Sequence, residues 1–204
     1  MAKESITIRE ERISVRREVT MILFINACVR KQSRTLRLAK RLLDDLNGDI
    51  KEVRLEEVGF PVVDEEFIKR REALKNTGKY DDPMFELGKD FANADTIVIA
   101  APYYDLSFPA MLKQYFEQIN VLGLTFTYSE SGIPKGLCKA KSLYYVTTAG
   151  GPIISDDYGF GYVKALANTF YGIEAVYQIK AEGLDVIGAD VDRIINSVGI
   201  CCFT

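Results

Sequence analysis

Short apolar segments alternate with segments of helical periodicity along the chain. Three of the apolar segments, Met21–Asn26, 96–101 and Ser142–Thr148, contain many β-branched or aromatic residues. Such runs are typical of strands that are buried on both faces of a parallel sheet. Two further segments, 50–55 and 174–180, mix apolar and polar residues, as strands at the edge of a sheet do. The pattern therefore predicts a parallel sheet of five strands.

The segments between these strands have the apolar spacing of amphipathic helices. After the first strand this spacing continues to Leu46, and Gly48 is placed as the C-terminal cap. Asp64 opens a charged stretch that we expect to be helical, and Pro109 lies where the first turn of a helix tolerates proline. Glycines and aromatic residues between 123 and 136 predict a loop or a hairpin before the fourth strand.

The alternation of strands and helices predicts a doubly wound α/β domain. The first, third and fourth strands are apolar throughout, whereas the second and fifth are amphipathic, so the expected sheet order is 2-1-3-4-5. This is the flavodoxin-like order, in which the ligand binds at the carboxyl edge of the sheet between strands 1 and 3. Three loops at that edge are the candidates for a binding site.

The first loop, residues 27–35, concentrates cations and hydroxyl groups between a central strand and a helix. It contains Cys28, and Ser33, Arg34 and Thr35 stand at the predicted helix start. The N–H groups and the dipole of a helix start attract anions, to which hydroxyls and an arginine add donors and charge. We therefore predict a phosphate site here. The alternative is that Ser33 only caps the helix and the cations are solvated.

The second loop follows the third strand, which Pro102 ends because proline cannot donate to a sheet. The residues that follow are Tyr103, Tyr104, Asp105 and Leu106. These side chains can line a flat ligand, or the tyrosines can be local packing.

The third loop follows the fourth strand and consists of Thr148, Ala149, Gly150 and Gly151. Paired glycines permit a ligand to approach the backbone closely. The alternative is that they only make the turn.

Composition narrows the chemistry that these loops can perform. The chain has 204 residues, of which 48% are hydrophobic, a net charge of −3, a sequence pI of about 5.2 and no histidine. It is long enough for one domain, it lacks the basic excess of nucleic-acid-binding proteins, and it has no apolar run of the roughly 18 residues that span a membrane. Without histidine, Ser-His-Asp and Cys-His catalysis and the commonest metal ligand are excluded. The chemistry must come from carboxylates, a lone nucleophile or a bound cofactor, and we predict no metal site.

The cysteines and the first twenty residues bear on location and domain boundaries. Cys28, Cys138, Cys201 and Cys202 lack metal-type spacing, and reduced thiols in a cytoplasmic protein are the default. Residues 1–20 are polar and rich in Arg and Glu, and a strong strand begins directly after them. We expect residues 1–20 to be a dispensable extension and residues 21–204 to form the domain. A genuine additional arm is the alternative.

Three motifs in these loops resemble one known family. The segments INAxxRxxSRTxxLA, APYYxxxxPAxLKxxxxxxxxxGxTF and TTAGG occur in the order and spacing of the FMN-dependent NAD(P)H quinone reductases and azoreductases. The resemblance extends from Met21 to about Gly199. It implies a flavin enzyme that takes a hydride from NAD(P)H and reduces quinone, azo or similar small acceptors. It also implies a homodimer with the flavin near the interface.

By this resemblance, Ser33, Arg34 and Thr35 hold the FMN phosphate. The segment from Tyr103 to Leu106 runs along the isoalloxazine, and the segment from Thr148 to Gly151 meets its pyrimidine edge. Cys28 and Asp105 depart from the family, whose members usually have Ser and Asn there. The expected consequences are one missing phosphate hydroxyl and a carboxylate that opposes negative charge on the reduced flavin.

Three other functions fit parts of the sequence. Cys28 and Arg34 match the Cys-x5-Arg-Thr phosphate loop of low-molecular-weight tyrosine phosphatases, in which the thiolate is the nucleophile and the arginine clamps phosphate. This loop lacks the glycine and asparagine that shape such a cradle. A flavodoxin-like electron carrier would bind FMN and pass electrons to a protein, but the connections 56–94 and 121–136 favour an enclosing enzyme. A flavin-free module of the same fold is the third alternative.

Overall fold

The computed structural model of this chain describes residues 20–200. The main elements in chain order are β1 (Met21–Asn26), α1 (Arg34–Asp45), β2 (Asp49–Arg54), α2 (Glu65–Asn76), α3 (Glu86–Asn93), β3 (Thr96–Ala100), α4 (Ala110–Ile119), β4 (Phe126–Tyr128), β5 (Pro134–Gly136), β6 (Ser142–Thr148), α5 (Phe160–Leu166), β7 (Ala175–Ala181) and α6 (Val191–Ser197). Short 3-10 turns lie at Leu55–Glu57 and Pro83–Phe85, and a π-helical turn, Ala167–Tyr171, continues α5.

Five strands form one parallel sheet in the order β2-β1-β3-β6-β7. The strands β4 and β5 pair separately as an antiparallel hairpin, which lies between β3 and β6 in the chain. With the hairpin set aside, the sheet has the predicted order 2-1-3-4-5, and the flavodoxin-like fold is confirmed. The two amphipathic segments are its edge strands, as expected from their mixed pattern.

The sheet is covered by helices on both faces. On one face, Leu23 and Ile25 belong to a cluster that includes residues of α3, α4 and α5. On the other face, their neighbours Ile22 and Phe24 pack with residues of α1 and α6. The alternation follows from the two-residue period of a strand, and it explains why the inner strands carry apolar residues on both faces.

Helix α2 lies outside both clusters. It has no buried residue, and it begins where the Asp64 carboxylate accepts a hydrogen bond from the N–H of Phe67, at 2.8 Å. The prediction of a charged helix after position 64 is confirmed. Its most buried residues, Phe67, Arg71, Leu74 and Lys75, are only half-buried, so α2 is a surface connection and contributes little to the core.

Two local predictions are wrong at helix ends. Helix α1 ends at Asp45 with Leu46 as its cap, so Gly48 does not cap it. Gly48 instead lies so close to the carbonyl of Thr20 that a side chain would collide with it. Pro109 is the N-cap of α4 and not a residue of its first turn. The prediction that residues 1–20 are dispensable concerns a segment that, except for Thr20, lies outside the described residues.

Candidate ligand-binding site

A cavity of about 560 Å³ opens at the carboxyl edge of the sheet. Segments that follow β1, β3, β6 and β7 line it. The lining residues are Val29, Arg30, Gln32, Ser33, Arg34, Thr35, Pro102, Tyr103, Tyr104, Thr148, Ala149, Gly150, Leu184 and Asp185. This volume lies in the range of small-molecule and cofactor sites, and the position is the switch point of the sheet order.

The base of the cavity is built from the start of α1 and the end of β6. The Ser33 hydroxyl accepts a hydrogen bond from the N–H of Leu36, at 3.2 Å, so it caps the helix while lining the cavity. The hydroxyls of Thr35 and Thr148 form a buried hydrogen bond of 2.6 Å. The first N–H groups of an α-helix have no acceptor within the helix. The base therefore offers backbone donors and hydroxyl groups to an anion.

One side of the cavity carries a pair of opposite charges. Nη1 of Arg34 lies 2.6 Å from Oδ1 of Asp185, which comes from the segment after β7. The N–H of Asp185 donates to the carbonyl of Gly150, at 2.8 Å, and so fixes this segment to the loop after β6. The Asp185 carboxylate occupies the space that a side chain at position 150 would need. The absence of a side chain at Gly150 therefore allows the carboxylate to lie against this loop.

The rim of the cavity is a tight turn after β3. The backbones of Tyr104 and Ser107 exchange two hydrogen bonds, of 3.0 and 2.7 Å. Between them, Asp105 and Leu106 have φ angles of 49° and 68°, in the left-handed region. Glycine and asparagine are the residues that favour such a turn, and leucine there is strained. The Ser107 hydroxyl donates to the carbonyl of Tyr158, at 2.5 Å, which joins the turn to the segment before α5.

Cys28 lies beneath the cavity and does not line it. Its side chain is buried, and its thiol points to the carbonyl of Ala100, with Sγ at 3.7 Å from the oxygen. Burial raises the pKa of the thiol to about 11, and a hydrogen bond to Ser33 offsets only part of this effect. A thiolate nucleophile needs a lowered pKa and access to substrate. The phosphatase hypothesis therefore finds no support in the geometry.

Nine of the thirteen predicted site residues line the cavity, from all three predicted loops. The four that do not are Cys28, Asp105, Leu106 and Gly151. Asp105 and Leu106 are exposed on the rim turn, next to the lining residue Tyr104. That any of the thirteen contacts FMN stays a prediction.

Sequence reasoning missed the fourth wall, which Leu184 and Asp185 provide. The segment after β7 was treated only as the end of an edge strand. The sheet topology alone could have predicted this wall, because the carboxyl ends of all parallel strands lie at the same edge of a sheet, so the segment after β7 also reaches the cavity. Val29, Arg30 and Gln32 were also missed, although they belong to the first predicted loop.

Residues 20–200 provide neither a cluster of metal-ligating side chains nor a helix that could span a membrane. They contain no group of three or more His, Cys, Asp or Glu side chains that could hold a metal ion. Within the same range, no helix has the length and apolar character that crossing a membrane requires.

The sheet order and the switch-point cavity define a flavodoxin-like α/β protein, and solved structures share this fold. An azoreductase from Bacillus anthracis str. Sterne superposes with a TM-score of 0.74 at 23% identity, over 87% of this chain and 93% of that one. An FMN-dependent NADH-azoreductase from Bacillus anthracis str. Ames Ancestor, in complex with FMN, gives a TM-score of 0.70 at 24% identity, over 86% and 93%. At these identities the likeness shows the fold.

The sequence comparisons show the family. Residues 20–197 match the Flavodoxin_2 family, which is described by its flavodoxin-like fold. The chain is 34% identical over 191 residues to FMN-dependent NADH:quinone oxidoreductase 2 of Clostridium acetobutylicum, covering 88% of this chain and 94% of the relative. It is 32% identical over 176 residues to FMN-dependent NADH:quinone oxidoreductase of Coprothermobacter proteolyticus, covering 81% and 87%. The chain belongs to the Flavodoxin_2 family together with these FMN-dependent NADH:quinone oxidoreductases, and the resemblance of the three motifs is confirmed.

Proposed function

We propose that this protein is an FMN-dependent oxidoreductase that transfers a hydride from NAD(P)H through bound flavin to quinone, azo or similar small acceptors. The observation that carries the proposal is the cavity at the switch point, with a helix start, two arginines and paired hydroxyls at one end. Relatives named as FMN-dependent NADH:quinone oxidoreductases, at up to 34% identity over most of the chain, support the same reaction.

The residues present fit FMN. Phosphate can bind the N–H groups at the start of α1 and the charged side chain of Arg34. Tyr103 lines the cavity, and its buried hydroxyl has no hydrogen-bond partner among the described residues. When bound, FMN supplies the hydride chemistry, which explains how a chain without histidine can catalyse the reaction.

The proposed roles follow the walls of the cavity. Ser33, Arg34 and Thr35 bind the phosphate, with Thr148 holding the Thr35 hydroxyl in place. The walls at 102–104 and 148–150 bind the ring system, and the rim turn at 105–106 limits access to one ring face. Gly151 would act through the backbone. Cys28, being buried beneath the base, supports the loop and does not bind phosphate.

We also propose a homodimer, with a second copy covering the open side of the cavity. Exposed apolar side chains lie on the segments that follow β6 and β7, which also supply lining residues of the cavity; among them are Ile154, Tyr158 and Ile187. Apolar surface of this kind marks an interaction site. Sedimentation velocity of the wild type would support the proposal with a dimer and overturn it with a monomer. The free thiols Cys28 and Cys138 support a cytoplasmic location.

A flavin titration of the apoprotein tests the proposed function. FMN should bind more tightly than riboflavin, because hydrogen bonds to a charged group contribute about 1.5–3 kcal/mol each. Arg34→Gln should weaken FMN and leave riboflavin unchanged. Arg37→Gln is the matched control, since Arg37 lies one turn further along α1 and does not line the cavity. Equal affinity for the two flavins would contradict the assignment.

Turnover assays separate the remaining candidates. We expect NAD(P)H-driven quinone reduction by the wild type and by Cys28→Ser, and hydrolysis of p-nitrophenyl phosphate by neither. Hydrolysis that disappears in Cys28→Ser would establish the phosphatase. Tight FMN binding without reduction of any small acceptor would favour the electron carrier.

A further inference from the structure

We propose that Asp185 competes with the flavin phosphate for Arg34 and so selectively weakens the binding of phosphorylated flavin. The inference rests on the proposed function, because it concerns the same cavity. It assigns to the segment after β7, which no motif singled out, the role of setting how tightly FMN is held and how readily it exchanges.

The geometry places a carboxylate where an anionic ligand is expected. Asp185 accepts from Nη1 of Arg34 at 2.6 Å, and its carboxylate lies against Gly150 in the cavity wall. Its backbone is held there, because the N–H groups of Leu184 and Asp185 donate to the carbonyls of Ala149 and Gly150, at 3.2 and 2.8 Å. The fold therefore fixes the backbone of Asp185, whose exposed side chain is held at Arg34 by the ion pair.

Charge makes this position competitive. A carboxylate and a phosphate are both acceptors, and both bind the guanidinium of arginine. An incoming phosphate that carries nearly two negative charges meets an arginine that is already neutralised, and it is also repelled by the nearby carboxylate. Riboflavin has no phosphate, so its binding does not require Asp185 to move.

A second ion pair in the same region provides an internal control. Arg37 and Asp192 are joined at 2.6 Å, with side-chain exposures of 45% and 77%, against 40% and 69% for Arg34 and Asp185. This pair also links α1 to the C-terminal part of the chain. Arg37 and Asp192 do not line the cavity. Neutralising Asp192 removes the same charge from a similar environment without removing the proposed competitor.

The test measures affinities of the apoprotein for FMN and riboflavin by quenching of flavin fluorescence, at low ionic strength. Asp185→Asn should tighten FMN binding about three- to tenfold, since an exposed charge contact has only a modest effect on affinity. Riboflavin affinity should stay the same. Asp192→Asn should change neither affinity. Asp185→Ser, which also lacks the charge, should reproduce the effect of Asp185→Asn.

Salt and inorganic phosphate sharpen the result. The increase in FMN affinity caused by Asp185→Asn should become smaller when NaCl is raised from about 50 to about 500 mM, because salt screens the repulsion between exposed charges. Inorganic phosphate alone should raise the melting temperature of Asp185→Asn more than that of the wild type. The salt dependence and the melting temperature are both measured without catalytic turnover, so they test the proposal separately from enzyme activity.

The failures of the two proposals are distinguishable. Unchanged or weaker FMN binding in Asp185→Asn, with the wild type still preferring FMN over riboflavin, would overturn the competition and leave the proposed function standing. Weaker binding would mean that Asp185 positions Arg34 for the phosphate. A wild type that binds neither flavin would overturn both proposals.

Discussion

The two ends of the cavity are built in opposite ways. At the base, Thr35 and Thr148 are buried, and they join a helix start to a central strand through a short hydrogen bond. At the rim, Asp105 and Leu106 are exposed and have left-handed backbone conformations on a tight turn. The base is held in place by the sheet, whereas the rim is a short turn that projects from the sheet.

This difference indicates what each end can tolerate. A buried polar pair loses free energy when one partner is removed, because the other is left unsatisfied. A strained exposed turn can gain free energy from a residue that suits its backbone. We therefore expect substitutions at the base to destabilise the protein and one substitution at the rim to stabilise it.

The largest effect is expected at the hydroxyl pair. Thr35→Val keeps the shape of the side chain but leaves the Thr148 hydroxyl buried without its partner, and it should lower the free energy of unfolding by about 1–3 kcal/mol. Urea denaturation of the apoprotein measures this. The control is the double variant Thr35→Val, Thr148→Val, which should lose less than the sum of the single variants. Additive losses would show that the two hydroxyls do not depend on each other.

Below the base, Cys28 predicts a loss of stability at alkaline pH. Burial raises the pKa of its thiol from 9.0 to about 11, so the unfolded chain releases this proton first. The contribution of the buried, protonated thiol to the free energy of unfolding is fully present below about pH 9, and it is lost as the pH rises towards 11. Because Ser does not ionise in this range, wild type should lose roughly 2 kcal/mol more than Cys28→Ser between pH 8 and pH 10.5. Parallel stability curves for the two proteins would contradict this.

At the rim, Leu106→Gly should stabilise the protein by up to about 1 kcal/mol. Removing the backbone strain of a leucine in the left-handed conformation should stabilise the protein by about 1–2 kcal/mol. The greater conformational freedom of glycine in the unfolded chain offsets part of this gain. Thermal unfolding measures the gain. Leu137→Gly is the control, because Leu137 is similarly exposed but lacks a positive φ, and it should destabilise. If Leu106 also contacts the ring, Leu106→Gly should bind FMN more weakly despite its stability.

The smallest effect is expected from Asp105→Asn. If the ring lies beside the rim turn, removing this negative charge should raise the reduction potential of bound flavin by on the order of 10 mV, since the position is exposed and its field is screened. Asparagine also suits the left-handed backbone, so stability should not fall. Spectroelectrochemical titration of both proteins measures the shift. A lower potential in Asp105→Asn would show that the carboxylate does not act through its charge.

The fold was predictable because it depends on patterns that are local in sequence. The apolar runs of β1, β3 and β6 and the mixed pattern of β2 and β7 identified the inner and edge strands. Once the order of a parallel sheet is known, its carboxyl edge and switch point follow from topology. For this reason three of the four loops that line the cavity were predicted, together with nine of its lining residues.

The details that set the chemistry depend on contacts between distant parts of the chain, and only the tertiary structure decided them. From the sequence, Arg34 is expected to be a free phosphate ligand. In the structure it pairs with Asp185, which lies 151 positions away in sequence. From the sequence, Cys28 is expected to be a phosphate-loop residue, whereas in the structure it is buried against the carbonyl of Ala100. The positive φ angles of Asp105 and Leu106 were equally hidden, because aspartate only tolerates such angles and leucine disfavours them. Periodicity reports which face of an element is buried, but it carries no information about which side chains meet across the gap between elements.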